Sequence, residues 1–244
     1  MRADSDQEAT LLKAEPDLGV GRRYDAILWD FDGVIARTEI LHIAAWQRAV
    51  RHAQLEFPDE AFDTAATEDD RELIARVFAA EGIELHASQV LAWCSAKQAI
   101  LIELLRLSPP IYEGVATTMR SLADCGYRQA IVTSTWRANV AATLEASGLL
   151  AFMDFVISKE DVARPKPAPD GYRLAVQRLR FAPRRCLAIE DSSTGLKSAL
   201  AAGIEAIAIA HPNSPARSRP KGWTSGVPLI RELCELRPIL ERRE

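Results

Sequence analysis

The sequence is poor in closely spaced cysteine. Cys94, Cys125, Cys186 and Cys234 are scattered through 244 residues, and no two stand at Cys-x-x-Cys spacing. That absence excludes a zinc site built from short-spaced thiolates and gives no disulfide framework, so the four read as buried free thiols in a reducing compartment. A basic excess is also lacking: 30 Lys and Arg face 34 Asp and Glu, for a net charge of −4. This argues against a dedicated nucleic-acid binder, though not against a local basic pocket. No apolar run approaches the roughly 20 residues of a membrane span. The opening segment MRADSDQEATLLKAEPDLGVGRR has no apolar stretch of a secretory signal and is too acidic for a transit peptide, so the cytoplasm is the expected location. Neither internal repeats nor low-complexity tracts occur. What is present is a 48% hydrophobic, 26% charged chain, ordinary for a soluble protein of one or two domains.

Residues 1–23 are polar and acidic, broken by Pro16, Gly19 and Gly21, and are expected to form a flexible arm. Asp25-Ala-Ile-Leu-Trp-Asp-Phe-Asp-Gly33 is a short apolar run stopped by Asp-Gly, the pattern of a buried parallel strand over 26–30. From about Thr38 to Leu107 the chain is rich in Ala, Leu, Glu and Arg, with one glycine, Gly82. Helical spacing in Leu73-Ile74-Val77-Phe78 and Ile100-Leu101-Leu104-Leu105 predicts about four helices there. After Gly114 helices (115–125, 137–147, 169–179, 195–202) alternate with strands (129–133, 155–157, 186–189, 206–210). This alternation predicts an α/β core, a Rossmann-like parallel sheet with helices on both faces. The expected organisation is a core of 24–37 and 108–244 with an all-helical cap, 38–107, inserted into it. His211–Gly226 reads as loop, and Val227–Leu240 as a last helix shortened by Pro238.

In an open parallel sheet ligands bind at the carboxyl ends of the strands, and four strand ends here carry reactive groups. The first ends in Asp30-Phe-Asp32-Gly33, two carboxylates two residues apart that need a cation or a shared proton. The second ends in Thr133-Ser134-Thr135, hydroxyls beside a helix start that suit an anion. Lys166 stands between two prolines in Arg164-Pro-Lys-Pro-Ala-Pro-Asp170, on a stiffened backbone that aims its ammonium. The fourth strand ends in Glu190-Asp191, followed by Ser192-Ser193, which suit a helix N-cap. Acids from two strand ends can complete an oxygen-ligand site for Mg²⁺, and cation, lysine and hydroxyls together suit a phosphoryl group.

These four features resemble, in order, the four motifs of the haloacid dehalogenase-like superfamily of phosphotransferases, over roughly residues 24–210; the helical insertion resembles its C1-type cap. The resemblance implies that Asp30 is the nucleophile, forming an aspartyl-phosphate, and that Asp32 protonates the leaving oxygen and then activates water. It implies metal ligation by Asp30, Asp191, the backbone carbonyl of Asp32, and Glu190 directly or through water. Thr133 and Lys166 would hold the transferring phosphoryl group, with Ser134 beside them. An acid at position 32 favours phosphate esters over the halide-releasing and phosphonate branches, because an alkoxide leaving group needs a proton. Thr38-Glu39-Ile-Leu-His42-Ile-Ala-Ala-Trp46 is similar to the pattern of the β-phosphoglucomutase and CbbY-like subgroup. This places Thr38 at a hinge, His42 near the site, and Lys97 on the cap's inner face; Trp46, Arg71 and Trp136 are further candidate lining residues.

The cap region Ala65–Glu72 lacks the mutases' glycine and is crowded with acids, leaving Arg71 shifted from their phosphate-binding arginine. Trp136-Arg137 replaces their Lys-Asn pair, although Arg137 retains some capacity for a second phosphate. The first expectation is therefore a Mg²⁺-dependent phosphatase of a small phosphorylated metabolite, a sugar phosphate above all. The second is a phosphosugar mutase; a silent module on the same fold is a distant third, since every key acid and the lysine are intact. A cap covering the site in cis makes a monomer sufficient, and no nucleic-acid or membrane partner is expected.

Overall fold

The computed structural model describes residues 22–51, 69–212 and 226–241. Six parallel strands form one sheet: β1 (Ala26–Trp29), β2 (Arg128–Val132), β3 (Phe155–Ile157), β4 (Cys186–Glu190), β5 (Glu205–Ile209) and β6 (Leu229–Ile230), in the order β3-β2-β1-β4-β5-β6. The chain runs outward from β1 through β2 to β3, then returns to β4 on the other side of β1. That reversal opens a crevice at the carboxyl ends of β1 and β4.

Alternation along the strands sorts the core into two unlike faces. Ile27, Trp29, Ile131, Leu187, Ile189, Ile207 and Ile209 pack with α4 (Val115–Asp124), α5 (Arg137–Ser147) and α8 (Leu236–Leu240). Ala26, Ala130, Ala188, Ala206 and Ala208 face α6 (Asp170–Leu179) and α7 (Ser193–Ala201). Small side chains on this second face leave room for Tyr172, Leu179 and Leu196. The polar interruption at Gln129 is satisfied: its carbonyl accepts from the Trp29 indole at 3.1 Å and its amide donates to Met119 O at 2.8 Å.

The expected α/β core is present, with element ends displaced by a residue or so. The end of the chain differs: Val227–Leu240 is not one helix. Leu229 and Ile230 pair with Ala208 and Ile209, extending the sheet, and a 3₁₀ turn (Leu233–Glu235) precedes α8. Pro238 is the third residue of α8, where a helical N–H has no intrahelical acceptor to lose. All four cysteines are free as expected, but only Cys186 is buried; Cys125 and Cys234 are exposed. Of the expected N-terminal arm only Arg22 and Arg23 are described, and these are held. Arg23 donates to Glu205 at 2.8–2.9 Å, and Arg22 O accepts from Arg185. Residues 1–21 lie outside the described residues.

Three cap helices are described: α1 (Glu39–Arg51), α2 (Asp70–Ala80) and α3 (Ala87–Leu107). The fourth expected one would fall within 52–68, outside the described residues. Leu73, Ile74, Val77 and Phe78 form the cap's own core with Trp46 and Val50. The stripe on α3 has a different partner. Leu101 and Leu105 pack with Ala45 against Ala142 of α5, and Gln98 Nε2 donates to Asn139 Oδ1. One face of α3 thus serves the cap interior and the other the seam with the core. At the junction Arg37 N donates to Pro110 O at 2.8 Å and Tyr112 N to Ile35 O at 3.0 Å, so the outgoing and returning segments are paired.

Candidate active site

Asp30 N donates to Ile189 O at 2.9 Å, carrying the β1–β4 ladder one residue past the strand. The chain then turns tightly: Ile35 N and Ala36 N both donate to Phe31 O, and Gly33 N to Ala36 O. Gly33 has φ +77°, a left-handed conformation that favours glycine. The two aspartates serve different neighbours across this turn. Asp30 Oδ1 accepts from Lys166 Nζ at 2.7 Å. Asp32 accepts from the hydroxyls of Thr38 and Thr135. Burial, opposed by those hydroxyls and reinforced by the Asp30 charge, raises Asp32 to about 6.

At the end of β4 Glu190 is fully buried. Its Oε1 accepts from Lys166 Nζ and from the Tyr172 hydroxyl, both at 2.6 Å. Its Oε2 is buried with no hydrogen-bond partner, a costly state for a carboxylate oxygen unless a further ligand meets it. Asp30, Glu190 and Asp191 each offer an oxygen within 4.8 Å of the others. Burial first, then the Asp30 charge, pushes Glu190 up to about 7 and Asp191 well above the usual carboxylate range. Lys166 does not neutralise this set: one ammonium faces three acids. Buried acids, hard oxygen donors and an orphaned oxygen fit a divalent cation such as Mg²⁺. Gly195 is required by the same cluster, since a Cβ there would lie 1.9 Å from Glu190 Oε2.

Lys166 uses all three of its hydrogens, on Asp30, Glu190 and Val132 O (2.7 Å). Burial pulls its pKa down, but the two carboxylates outweigh that and hold the ammonium above its ordinary value. Thr133, Ser134 and Lys166 line one narrow cleft. Thr133 N donates to Ile157 O, and Thr133 Oγ1 accepts from Thr135 N at 3.1 Å. Ser192 proves to be the N-cap of α7, accepting from Gly195 N at 3.1 Å.

The cap residues divide. Thr38 is buried and bonded to Asp32, and its carbonyl accepts from His42 N at 3.0 Å. His42 Nδ1 stands 3.0 Å from Lys97 Nζ; an ammonium only donates, so the proton of neutral His42 lies on Nε2. Lys97 is fully buried, and its other two hydrogens go to Asp70 at 2.8 and 2.9 Å. No hydrogen remains for a substrate in this arrangement. Burial and the Lys97 charge, against Asp70, lower His42 to about 4.

Four further candidate residues stand elsewhere. Trp46 is packed in the cap's core with its indole N–H 3.2 Å from Asp70 Oδ1, on the same face of α1 as His42 one turn earlier. The Arg71 side chain is exposed at the start of α2. Arg137 is drawn to the acidic turn Lys159–Asp161, its guanidinium bonded to Asp161 and Val156 O and its amide to Glu160. Trp136 is exposed beneath the Lys159 ammonium, 3.9 Å from the ring centroid.

Thr135, Asp70 and Tyr172 also belong to the site's framework, beyond the residues the sequence motifs name. Only Thr135 carried a signal, as the third hydroxyl of Thr133-Ser134-Thr135.

The chain matches the family model of haloacid dehalogenase-like hydrolases over residues 27–209. It is 32% identical over 196 residues to protein CbbY of Rhodobacter capsulatus, covering 75% of this chain and 83% of that one. It is 30% identical over 189 residues to the fructose-1-phosphate phosphatase YqaB of Escherichia coli, covering 76% and 96%. The crystal structure of CbbY from Rhodobacter sphaeroides in complex with phosphate superposes with a TM-score of 0.71 at 28% identity, over 87% of this chain and 96% of that one. A helical layer beside a parallel sheet with acids at its strand ends thus meets sequence and structural likeness over most of the chain: the chain belongs to the haloacid dehalogenase-like hydrolases, with CbbY among its relatives, and is a phosphoric monoester hydrolase.

Proposed function

We propose that the protein is a Mg²⁺-dependent phosphatase of a sugar phosphate, working through an aspartyl-phosphate on Asp30. The observation that carries the reading is the division of labour between Asp30 and Asp32. Asp30 lies against an ammonium and two further acids, placed to attack phosphorus. Asp32 is set apart on two hydroxyls, with an affinity for protons that suits an acid–base group near neutral pH.

A carboxylate oxygen of Asp30 bonds to phosphorus as the ester's P–O bond breaks, and Asp32 delivers its proton to the departing sugar oxygen. Asp32, now ionised, takes a proton from a water that attacks the phosphorus of the aspartyl-phosphate; the P–O bond to Asp30 breaks and inorganic phosphate leaves. Lys166, Thr133 and Ser134 hold the non-bridging oxygens throughout. Held by Asp30, Asp191, Glu190 and the Asp32 carbonyl, Mg²⁺ would offset the charge of the acids and of the phosphoryl group.

The sugar-phosphate class rests on relatives: besides YqaB, a phosphorylated carbohydrates phosphatase of Thermotoga maritima is 27% identical over 193 residues. Hydrolysis rather than mutation is supported by Lys97 of the cap and Arg137 at the start of α5. A mutase grips a second phosphate, whereas Lys97 is saturated and Arg137 is turned onto Asp161. The test is phosphate release from a panel of sugar phosphates, with and without Mg²⁺, beside Asp30→Asn. The panel includes β-glucose 1-phosphate with a trace of the 1,6-bisphosphate. Metal-dependent release abolished in Asp30→Asn is expected; glucose 6-phosphate formed without free phosphate would establish a mutase instead.

A further inference from the structure

The chemistry above makes no use of His211. It follows Ala210 at the carboxyl end of β5, and Ala210 N donates to Ile230 O at 3.0 Å, so its backbone is fixed by the sheet. The side chain is buried. Its Nε2 lies 3.0 Å from Val34 O; a carbonyl only accepts, so Nε2 carries the proton. Its ring stacks on Tyr112, with centroids 3.9 Å apart and planes 9° from parallel. Val34 belongs to the outgoing arm of the cap junction and Tyr112 to the returning arm. Those arms are paired through Arg37 N to Pro110 O and Tyr112 N to Ile35 O. The outgoing arm continues a turn that includes Asp32, closed by Gly33 N to Ala36 O and by Ile35 N and Ala36 N to Phe31 O.

We propose that His211 is a positioning residue. It clamps both arms of the cap junction to the end of β5, one by a hydrogen bond and one by a ring stack, and so fixes the turn that presents Asp32. The ring and the donor have separate tasks. The stack bears on the returning arm and on cap movement, while the N–H bears on the turn and hence on proton delivery. The consequence for proton delivery rests on the reading of Asp32 as the acid; the clamp itself does not.

Two substitutions separate the tasks. His211→Phe keeps a stacking ring and loses the donor; His211→Gln keeps a donor and loses the ring. Each is assayed on p-nitrophenyl phosphate, whose leaving group needs little help, and on phenyl phosphate, whose phenol has a pKa of about 10. Asp32→Asn is run alongside. His211→Phe is expected to lower kcat/KM about tenfold on phenyl phosphate and threefold or less on p-nitrophenyl phosphate, with the drop in kcat. Merely losing folded protein would lower both equally, and an equal loss on the two esters overturns the link to Asp32, provided Asp32→Asn itself discriminates between them. If Asp32→Asn fails to discriminate, the acid assignment is what fails. Hydrogen exchange then decides the clamp alone: the Arg37 and Tyr112 amides should exchange at least tenfold faster in His211→Gln, with α6 and α7 unchanged. Unaltered exchange at those two amides overturns the proposal.

Discussion

A methyl group on Gly33 would lie 1.8 Å from Oδ2 of Asp191 and 2.5 Å from its Cγ. The turn after β1 and the loop after β4 therefore interlock at a point where only hydrogen fits, and a position usually explained by backbone conformation is also the floor of the acid cluster. Gly33→Ala should lose at least a hundredfold in activity and about 1–3 kcal/mol in stability. Gly82 is the control. It has a similar φ of +75° with nothing within 4 Å of a built Cβ, so Gly82→Ala should cost about 1 kcal/mol and leave turnover intact. Equal loss of activity in both would mean that backbone strain, not collision with Asp191, is responsible.

Divalent cation should stabilise the protein measurably, because it binds the folded acid cluster and not the unfolded chain. At a hundred times Kd the gain is about 2.7 kcal/mol, read as a rise in Tm with Mg²⁺ that chelation reverses. Asp191→Asn should abolish most of that rise. A Tm unchanged by Mg²⁺ up to 10 mM, a concentration of order 10⁻² M, would contradict the fit of the three carboxylates to a cation.

In the cap, Asp70 accepts two of the three hydrogens of the buried Lys97. Asp70→Asn should leave that ammonium poorly compensated and cost about 2–3 kcal/mol, less than a wholly buried pair because Asp70 is partly exposed. Urea unfolding measures it. A cost below about 0.5 kcal/mol, the scale of a surface pair, would show that Lys97 finds another partner.

His42 supplies a pH dependence. Folding lowers it from its ordinary 6.5 to about 4, by burial and then by Lys97, against Asp70. The unfolded chain therefore binds the extra proton between those values. This contribution to stability is complete above about pH 6.5 and is lost as pH falls toward 4, by roughly 3 kcal/mol at most. The buried carboxyls titrate in the opposite sense, so the quantity to measure is wild type minus His42→Gln, by denaturant unfolding from pH 7.5 to 4.5. The difference should shrink as pH falls; a flat difference would show that His42 does not titrate in this way.

The core motifs were legible because each sits where an apolar run stops, and a parallel sheet brings strand ends together whatever lies between them. Asp30, Thr133 and Glu190 needed only that rule; Lys166, nine residues beyond β3, was legible from the proline on either side of it. The cap was less legible because helical spacing gives a face but not what it faces. The stripe Leu101–Leu105 packs on α5 as well as on Ala45 of the cap, and Trp46 shares the cap's core although it stands four residues from His42. Strand β6 was hidden by its length, two residues after a proline. Asp70, Tyr172 and His211 gave no local signal. Each meets partners that only the tertiary fold brings near: Lys97 and Trp46 for Asp70, Glu190 for Tyr172, and Val34 and Tyr112 for His211.

Covalent catalysis by Asp30 is the central claim, and trapping the phosphorylated carboxylate tests it most directly. The enzyme is mixed with Mg²⁺ and a sugar phosphate it turns over, quenched within the first turnovers, reduced with borohydride and digested. Reduction of an aspartyl-phosphate leaves homoserine, and mass spectrometry should find it at position 30, dependent on substrate and absent from position 32. Turnover with unmodified Asp30, or metal-dependent phosphate release by Asp30→Asn, would contradict the assignment.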